Sequence, residues 1–126
     1  MKPMTAEWVE KAEGDFAMME RECAAPDNPN YDGICFHAQQ CAEKYLKARL
    51  CEEGISFGKI HDLTALLEQV HNIEAGWERF REDLAYLSDF AVSFRYPGES
   101  ADKESALDAQ RRCRLFRSAA RKSLQL

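Results

Sequence analysis

Apolar residues recur every three to four positions along most of the chain, which is the spacing of one face of an α-helix. The pattern predicts helices over residues 5–23, 31–53, 62–70, 75–94 and 101–123. The fourth of these is the most regular, because its apolar positions alternate in spacings of three and four like a bundle seam. Its seam residues are Trp77, Phe80, Leu84, Leu87, Ala91 and Phe94. Long helices with short connections predict an all-α fold, an up-and-down four-helix bundle with a short extra helix.

Residues that cap or break helices set the predicted boundaries. Thr5 is a candidate N-cap of the first helix, and Asp62 is one for the third. Residues 26–30 hold two prolines and form a loop, and Gly54 ends the second helix. Pro97 ends the fourth, because the residue before a proline is pushed out of the helical region.

The composition fits one helical domain over residues 1–126, with 45% hydrophobic and 31% charged residues. A net charge of −5 disfavours avid non-specific RNA binding. The five cysteines contain no CxxC pair, which predicts reduced core thiols. No apolar signal segment or membrane span is visible, so we expect a cytoplasmic protein with no membrane contact.

The charges are unevenly distributed along the sequence. Residues 1–34 contain eight acidic and three basic side chains, whereas residues 109–126 contain six basic and no acidic ones. Cations near a helix C-terminus suit the helix dipole. The alternative is that the last helix presents a basic binding face.

Residues 36–48, FHAQQCAEKYLKA, resemble the signature helix of HEPN domains. The segments WVEKAEGDF (8–16), KIHDL (59–63) and RYPG (95–98) also resemble landmarks of that family, in the family's order. The resemblance covers roughly residues 5–124. It implies a helical bundle that commonly forms a homodimer. Many members are encoded beside a minimal nucleotidyltransferase in toxin–antitoxin modules, others are metal-independent ribonucleases, and some relatives are linked to nucleotide binding.

The ribonuclease branch of this family carries an arginine followed, after four to six intervening residues, by a histidine. After Arg95 the corresponding positions hold Ser100, Ala101 and Asp102. Such RNA cleavage needs a base for the 2′-hydroxyl and an acid for the leaving oxygen. We therefore expect a non-catalytic domain without a cofactor; the alternatives are a degenerate ribonuclease toxin and a purely structural interaction module.

The second predicted helix carries a row of polar residues, with His37, Gln40, Lys44 and Lys47 at spacings of three and four. The helical wheel places this row roughly opposite the apolar stripe, with Phe36 beside it. An aromatic ring next to cations and an amide suits base stacking or phosphate binding. The alternative is a solvated helix face, with Phe36 in a dimer interface.

Arg95 and Tyr96 lie just before a proline, where a rigid corner could hold the guanidinium group against a phosphate. The equally weighted alternative is that Arg95 pairs with a carboxylate of the second or fifth helix while Tyr96 packs against the bundle. We expect Arg95 to share one anion with Lys44 and Lys47.

Lys59 and His61 precede a predicted helix N-terminus, a position that favours anions. The alternative there is an ordinary cap with a packed imidazole. His37 and Cys41 are four residues apart but lack a third ligand nearby, so no metal site is predicted.

Overall fold

A computed structural model describes residues 1–92 and 96–126, and the secondary structure of this part of the chain is entirely helical, without strands. The α-helices are α1 (Pro3–Cys23), α2 (Tyr31–Glu52), α3 (Leu63–Val70), α4 (Arg81–Ser88) and α5 (Lys103–Ser123). Short 3₁₀ segments, Ala75–Phe80 and Asp89–Ala91, flank α4. The predicted all-α bundle is confirmed.

Helix α2 lies at the centre of the bundle and contacts the other four helices. The start of α1 lies beside the end of α2, where the Lys2 backbone N–H donates to the Glu52 carboxylate at 3.0 Å. The starts of α2 and α5 lie together, where the Ala101 N–H donates to Asp32 at 2.7 Å. Helices α1 and α2 are therefore antiparallel, and α2 and α5 begin at the same end of the bundle.

Apolar positions at helical spacing on α2, α3 and α5 form most of the core, whereas Trp8 and Phe16 of α1 are only partly buried against it. The α2 stripe (Ile34, Ala38, Cys41, Ala42 and Tyr45) is at most 1% exposed, and the stripes of α3 and α5 are buried with it. All five cysteines are free thiols. Cys35, Cys41 and Cys113 are buried, whereas Cys23 and Cys51 are partly exposed.

The fourth predicted helix is not continuous, which corrects the expectation for residues 75–94. A 3₁₀ turn precedes α4, and residues three apart in a 3₁₀ helix lie above one another. Trp77 and Phe80 therefore both contact the Phe116 ring edge-on, with centroids 5.1 and 5.4 Å away. Packing of both rings on Phe116 favours the 3₁₀ turn over a continuous α-helix at this point.

The second 3₁₀ segment also changes which residues are buried. Phe90 is buried, while Ala91, predicted for the seam, is only half-buried. The last predicted seam residue, Phe94, lies outside the described residues.

The helix boundaries agree with the prediction at α2 and α3 but not at α1. Asp62 caps α3, and Gly54 follows α2 with a φ of 73°. Helix α1 instead begins at Pro3 with Lys2 as its N-cap, since proline suits the first helical position. Thr5 is buried inside the helix, so its assignment as the cap was wrong. Among the described residues, no helix is long and apolar enough to cross a membrane.

Candidate functional site

A carboxylate on α1 anchors two polar residues of α2. Asp15 is only 8% exposed and accepts hydrogen bonds from His37 Nδ1 at 2.8 Å and Lys44 Nζ at 2.5 Å. His37 and Lys44 are seven residues apart, two turns along the same side of α2. Asp15 thus fixes the orientation of both side chains.

A second buried carboxylate, that of Glu43, lies on the other side of α2. It accepts hydrogen bonds from Gln39 Nε2 at 3.0 Å, Lys47 Nζ at 3.2 Å and His61 Nδ1 at 3.1 Å. The Lys47 ammonium lies 5.6 Å from the ring centroids of both Trp8 and Phe57. These contacts compensate for removing the Glu43 and Lys47 charges from water.

The predicted polar row is therefore split between two environments. Lys47 is 4% exposed, so the expectation that it lies opposite the apolar face was wrong. Lys44 and Lys47 bind different carboxylates, and Arg95, expected to share an anion with them, lies outside the described residues. Gln40 donates to Gln39 Oε1 at 2.6 Å.

Phe36 projects away from the core, as predicted. Its side chain is 38% exposed, and its ring lies edge-on to the His37 ring with centroids 5.3 Å apart. The exposed surface of α2 thus combines an aromatic ring with polar groups held by Asp15. We call Phe36, His37, Gln40 and Lys44 the α2 face.

His61 borders an open cleft of about 440 Å³ between the start of α3 and the end of α4. The cleft is lined by His61, Asp62, Ser88, Asp89, Ala91 and Val92. The His61 side chain is 66% exposed while its Nδ1 lies 3.1 Å from Oε1 of buried Glu43, so the carboxylate holds one edge of a ring that is otherwise largely open to solvent. This is the carboxylate–imidazole arrangement that orients a histidine for proton transfer.

The N-terminus of α3 is occupied by the protein's own carboxylate. Asp62 Oδ1 accepts from the N–H of Thr64 at 3.0 Å and of Ala65 at 3.4 Å. Its hydrogen bonds, with the Thr64 hydroxyl as the largest cause, lower the pKa of Asp62. This geometry supports the predicted helix cap rather than an anion site at the N-terminus of α3. Lys59, three residues before Asp62, is exposed.

The positions where a ribonuclease histidine would follow Arg95 have structural roles here. Ala101 is buried and bound to Asp32, as described above. Asp102 caps α5 by accepting the Ser105 N–H at 2.7 Å. Tyr96 is 71% exposed.

The arginines of the C-terminal helix form ion pairs within the bundle. They bind carboxylates of α1, of α4 and of α5 itself, which the unequal charges in the sequence did not reveal. The pairs are Arg111–Asp108, Arg112–Asp83, Arg112–Asp108, Arg114–Glu20, Arg117–Glu13 and Arg121–Glu13.

Sequence reasoning missed both anchoring carboxylates, Asp15 and Glu43. A signal existed for Glu43, since Gln39, Glu43, Leu46 and Leu50 follow one helical line, and both leucines are fully buried. Asp15 carried no comparable signal, because its role depends on how α1 and α2 pack. Within the described residues, no group of three His, Cys, Asp or Glu side chains is placed to hold a metal ion.

The sequence model of the HEPN domain matches residues 5–123. No curated protein and no solved structure matches. The family match spans nearly the whole chain and agrees with the helical bundle. The chain therefore belongs to the HEPN domain family.

Proposed function

We propose that this HEPN domain is a non-catalytic binding protein, a homodimer that binds nucleotide or RNA through the α2 face. We further propose that it acts with a nucleotidyltransferase partner in a toxin–antitoxin-type module. The partner and the module rest on the family resemblance. The ligand class rests on the geometry of α2.

The observation that carries the proposal is an exposed aromatic ring beside anchored hydrogen-bond donors. Phe36 offers a face on which any base can stack. His37 and Lys44 are already held by Asp15, so they lose little conformational freedom when a ligand binds. The proposal that the domain is non-catalytic is supported by Ala101 and Asp102. They have structural roles at positions where the ribonuclease branch would carry its histidine.

The ligand is tested by measuring the melting temperature with nucleoside mono-, di- and triphosphates, and the anisotropy of labelled single-stranded RNA, at low salt. Phe36→Ala should weaken binding at least ~5-fold, since stacking contributes about 1–3 kcal/mol per base. Leu115→Ala removes a comparably exposed apolar side chain from α5 and should leave binding unchanged. If no ligand binds, a protein-interaction module becomes the better description.

The partner is tested by co-expressing the chain with a minimal nucleotidyltransferase encoded beside it. A complex that survives size-exclusion chromatography supports the module. A neighbouring gene of another kind, or two proteins that elute separately, would argue against it.

One observation favours a second candidate, a degenerate ribonuclease. The exposed imidazole of His61, oriented by buried Glu43, could accept or donate a proton without the missing histidine. Purified protein should then cleave RNA in the presence of a chelator, and His61→Gln should abolish cleavage. The absence of cleavage by the wild-type protein would remove this candidate.

A further inference from the structure

A small cavity lies beside the α2 face, between the second half of α1 and the start of α2. It has a volume of about 180 Å³ and is lined by Met18, Arg21, Glu22, Asn30, Gly33 and His37. Arg21, Glu22 and Asn30 are not part of the α2 face, but His37 belongs to both. The cavity is therefore continuous with the proposed binding surface.

Arg21 differs from the arginines of α5 in its surroundings. It is exposed on α1 and has no carboxylate within ion-pair distance among the described residues. Each arginine of α5 binds at least one carboxylate, as described above. Arg21 thus offers its guanidinium fork to a ligand without breaking an internal pair.

Two further polar side chains in the cavity lining, Asn30 and His37, are oriented by contacts within the protein. Asn30 Oδ1 accepts the Gly33 N–H at 2.8 Å, which leaves the Asn30 Nδ2 hydrogens to donate. His37 Nδ1 donates to Asp15, so Nε2 can donate to a ligand only when the ring carries both protons as an imidazolium. Guanidinium, amide and imidazolium groups together form a donor set that suits a phosphate.

Among the described residues that line the cavity, Glu22 is the one with a carboxylate. Its Oε1 accepts the Asn30 backbone N–H at 2.7 Å, so it helps to hold the loop before α2. Its charge opposes an anion in the cavity. Removing the Glu22 charge should therefore strengthen the binding of an anion.

We propose that this cavity binds the phosphate monoester end of a nucleotide, with Phe36 stacking the base outside it. The inference rests on the proposed function and assigns Arg21, Asn30 and His37 to its phosphate. Pockets that enclose whole small-molecule ligands measure about 300–1,000 Å³. A cavity of about 180 Å³ holds a phosphate group and leaves the base outside. A free mononucleotide and the 5′-phosphate end of RNA share this chemistry.

Calorimetry at low salt separates these ligands. Adenosine 5′-monophosphate should bind the wild-type protein at least ~10-fold more tightly than adenosine, a difference of about 1.4 kcal/mol. Short oligoadenylate RNA with a 5′-phosphate or a 5′-hydroxyl then distinguishes the sources. Preference for the phosphorylated RNA over the mononucleotide identifies an RNA end, and the reverse identifies a free nucleotide.

Charge variants on one helix test the location. Arg21→Glu should weaken adenosine monophosphate binding at least ~10-fold, because it replaces the phosphate's partner by a like charge. Lys11→Glu makes the same charge change on α1 beside Met4, Glu7 and Trp8, and should change the affinity far less. Glu22→Gln should tighten binding. Circular dichroism checks that each variant is folded.

Equal effects of Arg21→Glu and Lys11→Glu would overturn the cavity assignment, as would equal binding of adenosine and its monophosphate. Binding that still depends on Phe36 would leave the proposed function standing in that case. If the wild-type protein binds no nucleotide and no RNA, both proposals fail together.

Discussion

Arg117 on α5 binds Glu13 on α1 through two parallel hydrogen bonds of 2.7 and 2.6 Å. The guanidinium fork matches the carboxylate geometry, which makes such pairs stronger than single contacts. The Tyr45 hydroxyl of α2 donates to the same carboxylate at 2.5 Å, and Arg121 lies 3.5 Å from it. One glutamate therefore joins α1, α2 and α5.

This relationship predicts a specific loss of stability in acid. Hydrogen bonding from Arg117, the largest cause, lowers the pKa of Glu13 in the folded protein. Its stabilisation is present above the ordinary glutamate pKa of about 4.3 and is lost as the pH falls through the lower folded value. When the pH is lowered from 5 to 3, the free energy of unfolding measured in urea should fall less for Glu13→Gln than for the wild type.

The control for this experiment is Glu10→Gln, which changes an exposed glutamate of the same helix. It should keep the wild-type dependence on pH, since the other carboxylates with lowered pKa values remain. If Glu13→Gln were as acid-sensitive as the wild type, the contacts of Glu13 would not contribute to the pH dependence of stability between pH 5 and 3.

The same pair shows what charge counting could and could not predict. The acidic start and basic end of the sequence were evident, but their contact depends on the antiparallel alignment of α1 and α5. That alignment comes from packing on α2, and a residue count carries no information about it. Glu20 and Arg114 pair through two hydrogen bonds for the same reason.

Helical periodicity predicted most of the core and failed at Lys47 for a physical reason. A single wheel assumes that a helix has one buried stripe. Helix α2 contacts four other helices, so several of its sides are covered and Lys47 lies under Trp8 and Phe57. The phosphate candidate Arg21 was missed because its cavity exists only between α1 and the start of α2.

The buried pair of Glu43 and Lys47 predicts a large effect of a single substitution. Lys47→Met leaves the buried carboxylate without its ammonium partner, which typically costs about 3–5 kcal/mol. The double variant Glu43→Gln, Lys47→Met should recover much of this loss, because no unpaired charge remains. Urea unfolding at neutral pH measures both, and a double variant less stable than Lys47→Met would contradict the assignment.

Thiol labelling should separate the five cysteines into two groups. Burial raises the pKa of Cys35 to about 12, and the pKa of buried Cys41 is also raised, chiefly by Cys113. Because the thiolate is the reactive form, both should resist iodoacetamide at pH 8 in the folded protein. Mass spectrometry should find labelling of the folded protein only at the partly exposed Cys23 and Cys51, with Cys23 the slower because burial also raises its pKa, and all five sites labelled in urea. Early modification of Cys35 would contradict its burial.

Removing metal ions should leave the stability of the protein unchanged. The described residues place no three-ligand cluster, and a structural metal would contribute directly to the folding free energy. The melting temperature should therefore be the same with and without a chelator. A drop that added zinc reverses would reveal a site that we have not identified.

We expect the chain to form a homodimer with Phe36 in its interface. In a twofold dimer the same surface meets its own copy, so a single exposed ring on α2 is brought together with its counterpart. Phe36→Asp would bury two like charges at that contact and should raise the dimer dissociation constant at least ~10-fold, whereas Leu115→Asp on α5 should not. If nucleotide binds at the interface, adding it should tighten the dimer by mass action. Light scattering over a concentration series measures all three effects. A wild-type protein that is monomeric at every workable concentration would reject the dimer, and a Phe36→Asp protein that stays dimeric but loses nucleotide binding would assign the ring to the ligand alone.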